Sequence, residues 1–305
     1  MARLKVGAVV RIGPFAPGHA PQAYRDIRET ALRIEAAGLD SIWVYDHLLY
    51  RWSGRPTDGI WECWTMLAAL AEATQRVELG PLVACTQFRN PALLAKMAAT
   101  LDEVSGGRLT LGLGAGWHQP EFDAFGFPFD HRVARFEEAV QVIGPLLRQG
   151  HVDFAGTYYR AGECEILPRG PRPGGPPLLL AGSGPRMLRL VARYADSWNT
   201  AWHAAPASVE PRLAAMRAAC RAEGRDPATL GITASVAVAY PDLGSIGTFS
   251  QYLTGSAEQV AQALHGYAAL GVDQIMVEFS PYTPAALERL AEAVQRFRAQ
   301  TSAVK

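Results

Sequence analysis

The chain has 305 residues, 49% of them hydrophobic, and its 29 basic residues are balanced by 29 acidic ones. That is ample material for a large core, and the zero net charge removes any electrostatic reason to expect nucleic acid or an anionic membrane as partner. Four separated cysteines (Cys63, Cys85, Cys164, Cys220) form neither a CxxC pair nor a disulfide framework. No run approaches the roughly 18 apolar residues of a membrane span. Met1–Ile12 lacks the apolar stretch of a signal peptide, so a cytoplasmic protein is expected.

In chain order, short β-rich runs alternate with helical patterns, eight of each. Strands are expected at Lys5–Val10, Ser41–Tyr45, Val77–Val83, Leu109–Gly114, Pro177–Ala181, Asp196–Thr200, Gly231–Val238 and Gln274–Phe279. Most are unbroken apolar strings, which suits a parallel sheet buried on both faces. Helical spacings of three and four link Tyr24, Ile27, Ala31 and Ile34, then Phe136, Val140, Ile143 and Leu147, and lastly Leu287, Leu290, Val294 and Phe297. Regular βα alternation predicts a closed (β/α)₈ TIM barrel, one domain over residues 1–305, rather than an open doubly wound sheet. Tyr50–Gly59 and Trp117–Val133 are long enough to be insertions over the barrel mouth, and His151–Ile166 suggests a small hairpin outside the barrel.

Barrel enzymes carry their reactive groups at the carboxyl ends of the strands. The second strand delivers Asp46 and His47, an acid beside a group that titrates near neutrality. The fourth runs into LTLGLGAGWHQPE, where Gly112, Gly114 and Gly116 precede Trp117 and Glu121. Glycines there suit close approach of a ligand or another backbone, so Gly114, Ala115, Gly116 and Trp117 are expected to wall a cofactor site. After the fifth strand, Gly182-Ser183-Gly184-Pro185 leads into a helix whose free N–H groups could bind a phosphate, with Arg186 adding charge. Trp198-Asn199 and Glu278 end later strands and could face the mouth. Trp52, Ile60, Trp61, Trp64, Phe125 and Phe127 suggest an aromatic lining. Cys85, with no histidine near it in sequence, reads as packed.

Other chemistries are disfavoured. Neither glycine cluster completes G-x-G-x-x-G, because the last position is Trp117 in one and Met187 in the other. The histidines (His19, His47, His118, His131, His151, His203, His265) show no HxH or HExxH spacing, so no metal site is expected and a zinc hydrolase ranks low. There is no GxSxG elbow for a serine hydrolase.

Four segments carry a resemblance: SIWVYDH (41–47), the run 88–126 from FRNPALL to DAFG, RFEEAVQVI (135–143) and AGSGPRMLRLVARYADSWN (181–199). Together they resemble the bacterial-luciferase-like flavin and deazaflavin oxidoreductases, most closely the branch using coenzyme F420. The resemblance implies a barrel with cofactor at its mouth, a histidine matching His47 beside the reactive ring, and Asp46 accompanying it. It also implies a cis peptide at Leu82–Val83 whose bulge presses on the ring, a ring or ribityl wall at Gly114–Trp117, and a phosphate on the Gly182–Gly184 backbone. Glu121 is then a cofactor-loop or supporting group. The implied reaction is hydride transfer between F420 and a small organic substrate, in a homodimer packed through barrel helices. The alternatives are an FMN-dependent monooxygenase fed by a separate reductase, and a non-catalytic flavin-binding relative. Arg51, Trp117 and Pro120 stand where the sugar-phosphate-oxidising branch has tryptophan, glutamate and asparagine, which argues against that substrate. The reactive cysteine of true luciferases is not evident.

Overall fold

The computed structural model describes residues 4–14, 20–247 and 249–303; Met1–Arg3 and His19 lie outside them. Eight barrel strands are present: β1 (Lys5–Val9), β2 (Ser41–Val44), β3 (Glu78–Pro81, resuming at Ala84–Cys85), β4 (Leu111–Gly114), β5 (Leu178–Ala181), β6 (Ser197–His203), β7 (Gly231–Ala239) and β8 (Gln274–Ser280). Their ladders are parallel and follow one another around the ring, β1 pairing with both β2 and β8. β3 pairs with β2 on one side and reaches β4 on the other, through Leu79 opposite Leu109 and Ala84–Cys85 opposite Leu113–Gly114. That closure makes a (β/α)₈ barrel and disposes of the open doubly wound alternative. The expected strand Val77–Val83 is broken, because the backbone bulges at Leu82–Val83, where the peptide is cis.

Eight helices cover the outside: α1 (Tyr24–Ala36), α2 (Cys63–Ala73), α3 (Pro91–Val104), α4 (Arg132–Gln149), α5 (Pro185–Tyr194), α6 (Glu210–Ala222), α7 (Ala257–Ala269) and α8 (Pro284–Ala303). Local chemistry starts several of them. Asn90 accepts hydrogen bonds from Ala92 and Leu93 N–H ahead of Pro91, and Ser256 with Gln259 forms a capping box on α7. The expected apolar stripes face the sheet, with Ile27, Ala31, Ile34, Phe136, Val140 and Leu290 fully buried. Tyr24, the first residue of α1, is the exception and is 43% exposed.

Strand alternation sorts the side chains into two cores. Ile42 and Val44 join the large core between sheet and helices, whereas Trp43 fills the barrel with Val9, Leu179 and Met276. Tyr45, Leu82 and Val83 pack on that inner cluster from the carboxyl end. Trp198 is on the outside, its indole donating to the Gly182 carbonyl, and Asn199 is inside, bonded to Thr233; neither lines the mouth. The insertions have structure of their own. Leu49–Tyr50 pairs with Asp58–Gly59, a seven-residue helix spans Gln119–Phe125, and His151–Ala155 pairs with Arg160–Glu165 outside the barrel.

Candidate functional site

Beyond Tyr45 the alternation continues, so Asp46 is turned toward the helix layer and His47 toward the mouth. The short helix Gln119–Phe125, begun at Pro120 and stopped by Gly126 in the left-handed conformation, brings Glu121 beneath His47. Glu121 is buried; its Oε1 is 2.9 Å from His47 Nδ1, and its Oε2 accepts the Leu48 N–H at 2.8 Å. A carboxylate there holds the imidazole tautomer with Nδ1 protonated and leaves Nε2 for another partner. Among the described residues, Nε2 has no hydrogen bond. The ring is held between Tyr50 (centroids 4.4 Å) and Trp117 (5.5 Å).

Asp46 does not partner His47, contrary to the pairing expected from adjacency. Its carboxylate takes both arms of Arg89 (2.7 and 3.0 Å) and the Cys85 N–H (2.9 Å). Arg89 also reaches Glu62, which in turn caps the N-terminus of α2. Burial pushes the Asp46 carboxyl up, against the opposing pull of Arg89. The cluster therefore ties the ends of β2 and β3 to the helix layer. Strand alternation was the signal that could have separated the two roles.

The glycine loop is shaped first by its own neighbours. A Cβ on Gly114 would lie 2.7 Å from Val83 Cγ2, so Gly114 admits the bulge of β3. Gly116 has φ +71°, and a Cβ there would meet Phe122 at 2.5 Å and the Cys85 sulfur at 2.7 Å. We expect Gly116→Ala to cost about 2–4 kcal/mol from the left-handed backbone and overpacking together, measured as a shift of the denaturation midpoint. Cys85 is buried and its thiol is pushed up by burial, in keeping with a packed residue. Arg132 donates to the Gly116 carbonyl at 3.0 Å and fixes the loop from α4.

At the end of neighbouring β5, Ser183 to Arg186 are exposed, and Gly184 caps α5 without a side-chain hydrogen bond. Arg186 is bound to Glu137 at 2.5 Å, so the charge expected at this turn is already compensated. The floor of the mouth is polar. Glu278 accepts from Arg11 Nε at 2.7 Å on one oxygen and from the Tyr45 hydroxyl on the other. Burial and Glu278 hold the Tyr45 phenol far above its ordinary range. Glu278 was legible as a mouth residue; Arg11 and Tyr45 were not, since their roles depend on each other.

Aromatic residues rise on both sides. Trp52, from the loop after β2, lies 6.0 Å from Trp117 and 4.7 Å from His118. His118 Nε2 accepts the Arg51 N–H at 3.1 Å, and burial lowers its pKa. Opposite them, Trp202 lies 6.2 Å from Tyr45 and 4.9 Å from Phe249; neither Trp202 nor Phe249 was picked out from sequence. Of the other expected lining residues, Ile60 and Trp64 pack in the core, Trp61 binds the Gln22 carbonyl, Phe127 packs on Phe88, and Phe125 is exposed.

Beside Trp202, His203 ends β6 past a register irregularity and is 3.0 Å from Thr200 Oγ1 and 2.8 Å from Ser208 Oγ. Burial lowers its pKa from 6.5 to about 4. A depressed pKa makes the neutral ring stabilising above 6.5, with that contribution lost as pH falls toward 4. The fall in melting temperature between those pH values should be shallower in His203→Asn than in the parent. Among the described residues, no group of three or more His, Cys, Asp or Glu is placed to hold a metal ion. No helix among them is long and apolar enough to cross a membrane.

A family model described as luciferase-like monooxygenase matches residues 4–242. The F420-dependent glucose-6-phosphate dehydrogenase of Amycolatopsis mediterranei (strain U-32) is 36% identical over 199 residues, covering 64% of this chain and 56% of that protein. Pyrimidine monooxygenase RutA of Enterobacter cloacae subsp. cloacae is 34% identical over 178 residues, covering 54% of this chain and 47% of that one. The chain thus spans about half the length of these curated relatives. Among solved structures, an F420-dependent secondary alcohol dehydrogenase in complex with an F420-acetone adduct has a TM-score of 0.79 at 20% identity, over 97% of this chain and 99% of that one. That last likeness is one of fold. With more than half of its residues matched to a single family model, the chain belongs to the luciferase-like monooxygenase family.

Proposed function

We propose that this protein is an F420-dependent oxidoreductase that moves a hydride between the deazaflavin and a small organic substrate at the barrel mouth. The observation that carries this reading is the His47–Glu121 pair: an imidazole locked through Nδ1, with Nε2 left for a reacting group. The residues around it fit a tricyclic cofactor. Leu82 and Val83 bulge at the mouth, Gly114, Ala115, Gly116 and Trp117 form the adjoining wall, and space is open around Gly184. Free N–H groups at the start of α5, with Gly182, Ser183, Gly184 and Pro185, suit a phosphate.

The deazaflavin supplies the two-electron chemistry when bound. His47 gives or takes the proton at the substrate oxygen through Nε2, and Glu121 keeps its ring in register. Asp46 positions this end of β2 through Arg89. Trp117 and Tyr50 hold the imidazole and keep water from it.

The similarity to a pyrimidine monooxygenase supports the monooxygenase alternative, for which FMN would be the cofactor, since it shares the ring, ribityl chain and phosphate. A monooxygenase of that kind would need a separate reductase. We also read residues 1–305 as one barrel domain, acting in the cytoplasm as a homodimer packed through barrel helices. The four free thiols fit a reducing compartment.

Parallel fluorescence titrations with F420 and FMN test the reading. Micromolar or tighter binding of F420 with weak FMN binding is expected; the reverse preference, with oxygen uptake on supplying reduced FMN, transfers the protein to the monooxygenases.

A further inference from the structure

Three tryptophans at one mouth are left in water: Trp202 is 37% exposed, Trp52 43% and Trp117 55%. A single exposed aromatic is ordinary, but several converging on one concavity mark a binding surface. Their arrangement is a trough. Tyr45 and His47, two residues apart just beyond β2, continue its alternation on one face and form the floor. Tyr45 meets Trp202, which is backed by Phe249; His47 meets Trp117, which adjoins Trp52.

The charges beside the trough are compensated. Glu121 is paired with His47, and Glu278 with Arg11 at 2.6 Å. Arg51 is exposed on the loop after β2, with its Nε bonded to Thr57 of the same loop. Among the described residues a phosphorylated substrate would find no preformed cationic receptor on the floor, whereas a flat apolar ring would stack on either wall.

Resting on the oxidoreductase reading above, we propose that the trough takes a flat, uncharged aromatic ketone, or the corresponding secondary alcohol, between Trp202 and the Trp52–Trp117 wall. The carbonyl oxygen then points to the floor at His47. Reduction adds a hydride to the carbonyl carbon and a proton from His47 to its oxygen, while the reduced deazaflavin loses two electrons; oxidation of the alcohol runs the same exchange backwards. Trp52 and Trp202 set the preference for aromatic substrates.

The test uses the full chain and isothermal titration calorimetry, first with F420 alone and then with 2-acetylnaphthalene, acetone and glucose 6-phosphate, each with and without F420. 2-Acetylnaphthalene should bind at least roughly 30-fold more tightly than acetone. Trp52→Ala in the loop after β2 and Trp202→Ala near the end of β6 should each weaken it by about tenfold while F420 affinity stays within about twofold. Equal binding of the two ketones, tighter binding of glucose 6-phosphate, or no effect of either folded variant overturns the proposal. If F420 does not bind but 2-acetylnaphthalene still binds in a tryptophan-dependent way, the trough stands and the cofactor reading falls.

Discussion

His47→Ala should lower turnover by about 10²- to 10⁴-fold, the range for loss of a general acid or base, while F420 affinity changes by less than about threefold. The asymmetry follows from the site. His47 Nε2 points at no protein partner among the described residues, so its free contact is kept for the reacting group. The walls proposed for the cofactor, at Val83, Gly114 and Gly182, lie in or beside other strands and remain in place. Steady-state turnover with a reactive substrate, beside a fluorescence titration of F420, separates the two effects. Unchanged turnover would remove His47 from the chemistry altogether. Asp46→Asn provides the contrast, because Asp46 bonds Arg89 and Cys85 rather than the imidazole. Its effect on rate should track its effect on stability.

The largest effect on stability is expected from Arg89→Met. Asp46 is buried and takes two of its three hydrogen bonds from the Arg89 side chain. Without the guanidinium the carboxylate stays buried beside Glu62, and losing one partner of such a pair costs about 3–5 kcal/mol. For a chain of 305 residues that is a drop in melting temperature of about 5–8 °C. The sign with pH is informative. The Asp46 pKa already lies above its ordinary value, and the substitution raises it further. The unfolded chain then ionises first, so the variant loses most stability near neutrality and recovers part of it as the carboxyl protonates in acid. Adding Asp46→Asn should restore much of the loss at pH 7. An uncorrected double variant would mean that Arg89 acts through Glu62 and the α2 cap.

The strands were legible because each is a short apolar string between turn signals, and eight such strings with helices between them admit few architectures. β3 was not fully legible. Gly80 to Thr86 reads as one run, and no side-chain pattern marks the backbone turning out at Leu82–Val83. Glu121 was singled out as a carboxylate near a glycine loop, yet the partner expected for His47 was the adjacent Asp46. The true pair spans 74 positions, and only the helix Gln119–Phe125, announced by Pro120 and Gly126, brings it together. Arg89 carries no local motif at all; its role arises where the ends of β2 and β3 meet. Gly114 and Gly116 were read as positions for close approach of a ligand or another backbone, and the groups that approach them in the structure are the side chains of Val83, Phe122 and Cys85.

The adjacency of Asp46 and His47 has a consequence for how this protein can change length. Side chains on a strand alternate faces, so one residue inserted into or deleted from β2 would exchange the two. The acid would then enter the aromatic trough and the imidazole would be thrust against Arg89, with both pairs lost in one step. Residues 53–56, exposed at the tip beyond Trp52 and outside the barrel ladder, impose no such parity. Insertions and deletions should therefore be tolerated at that tip and excluded from the four residues Ser41–Val44 and the three that follow them, which makes the tip the place to graft a tag, a linker or a new substrate-contacting loop.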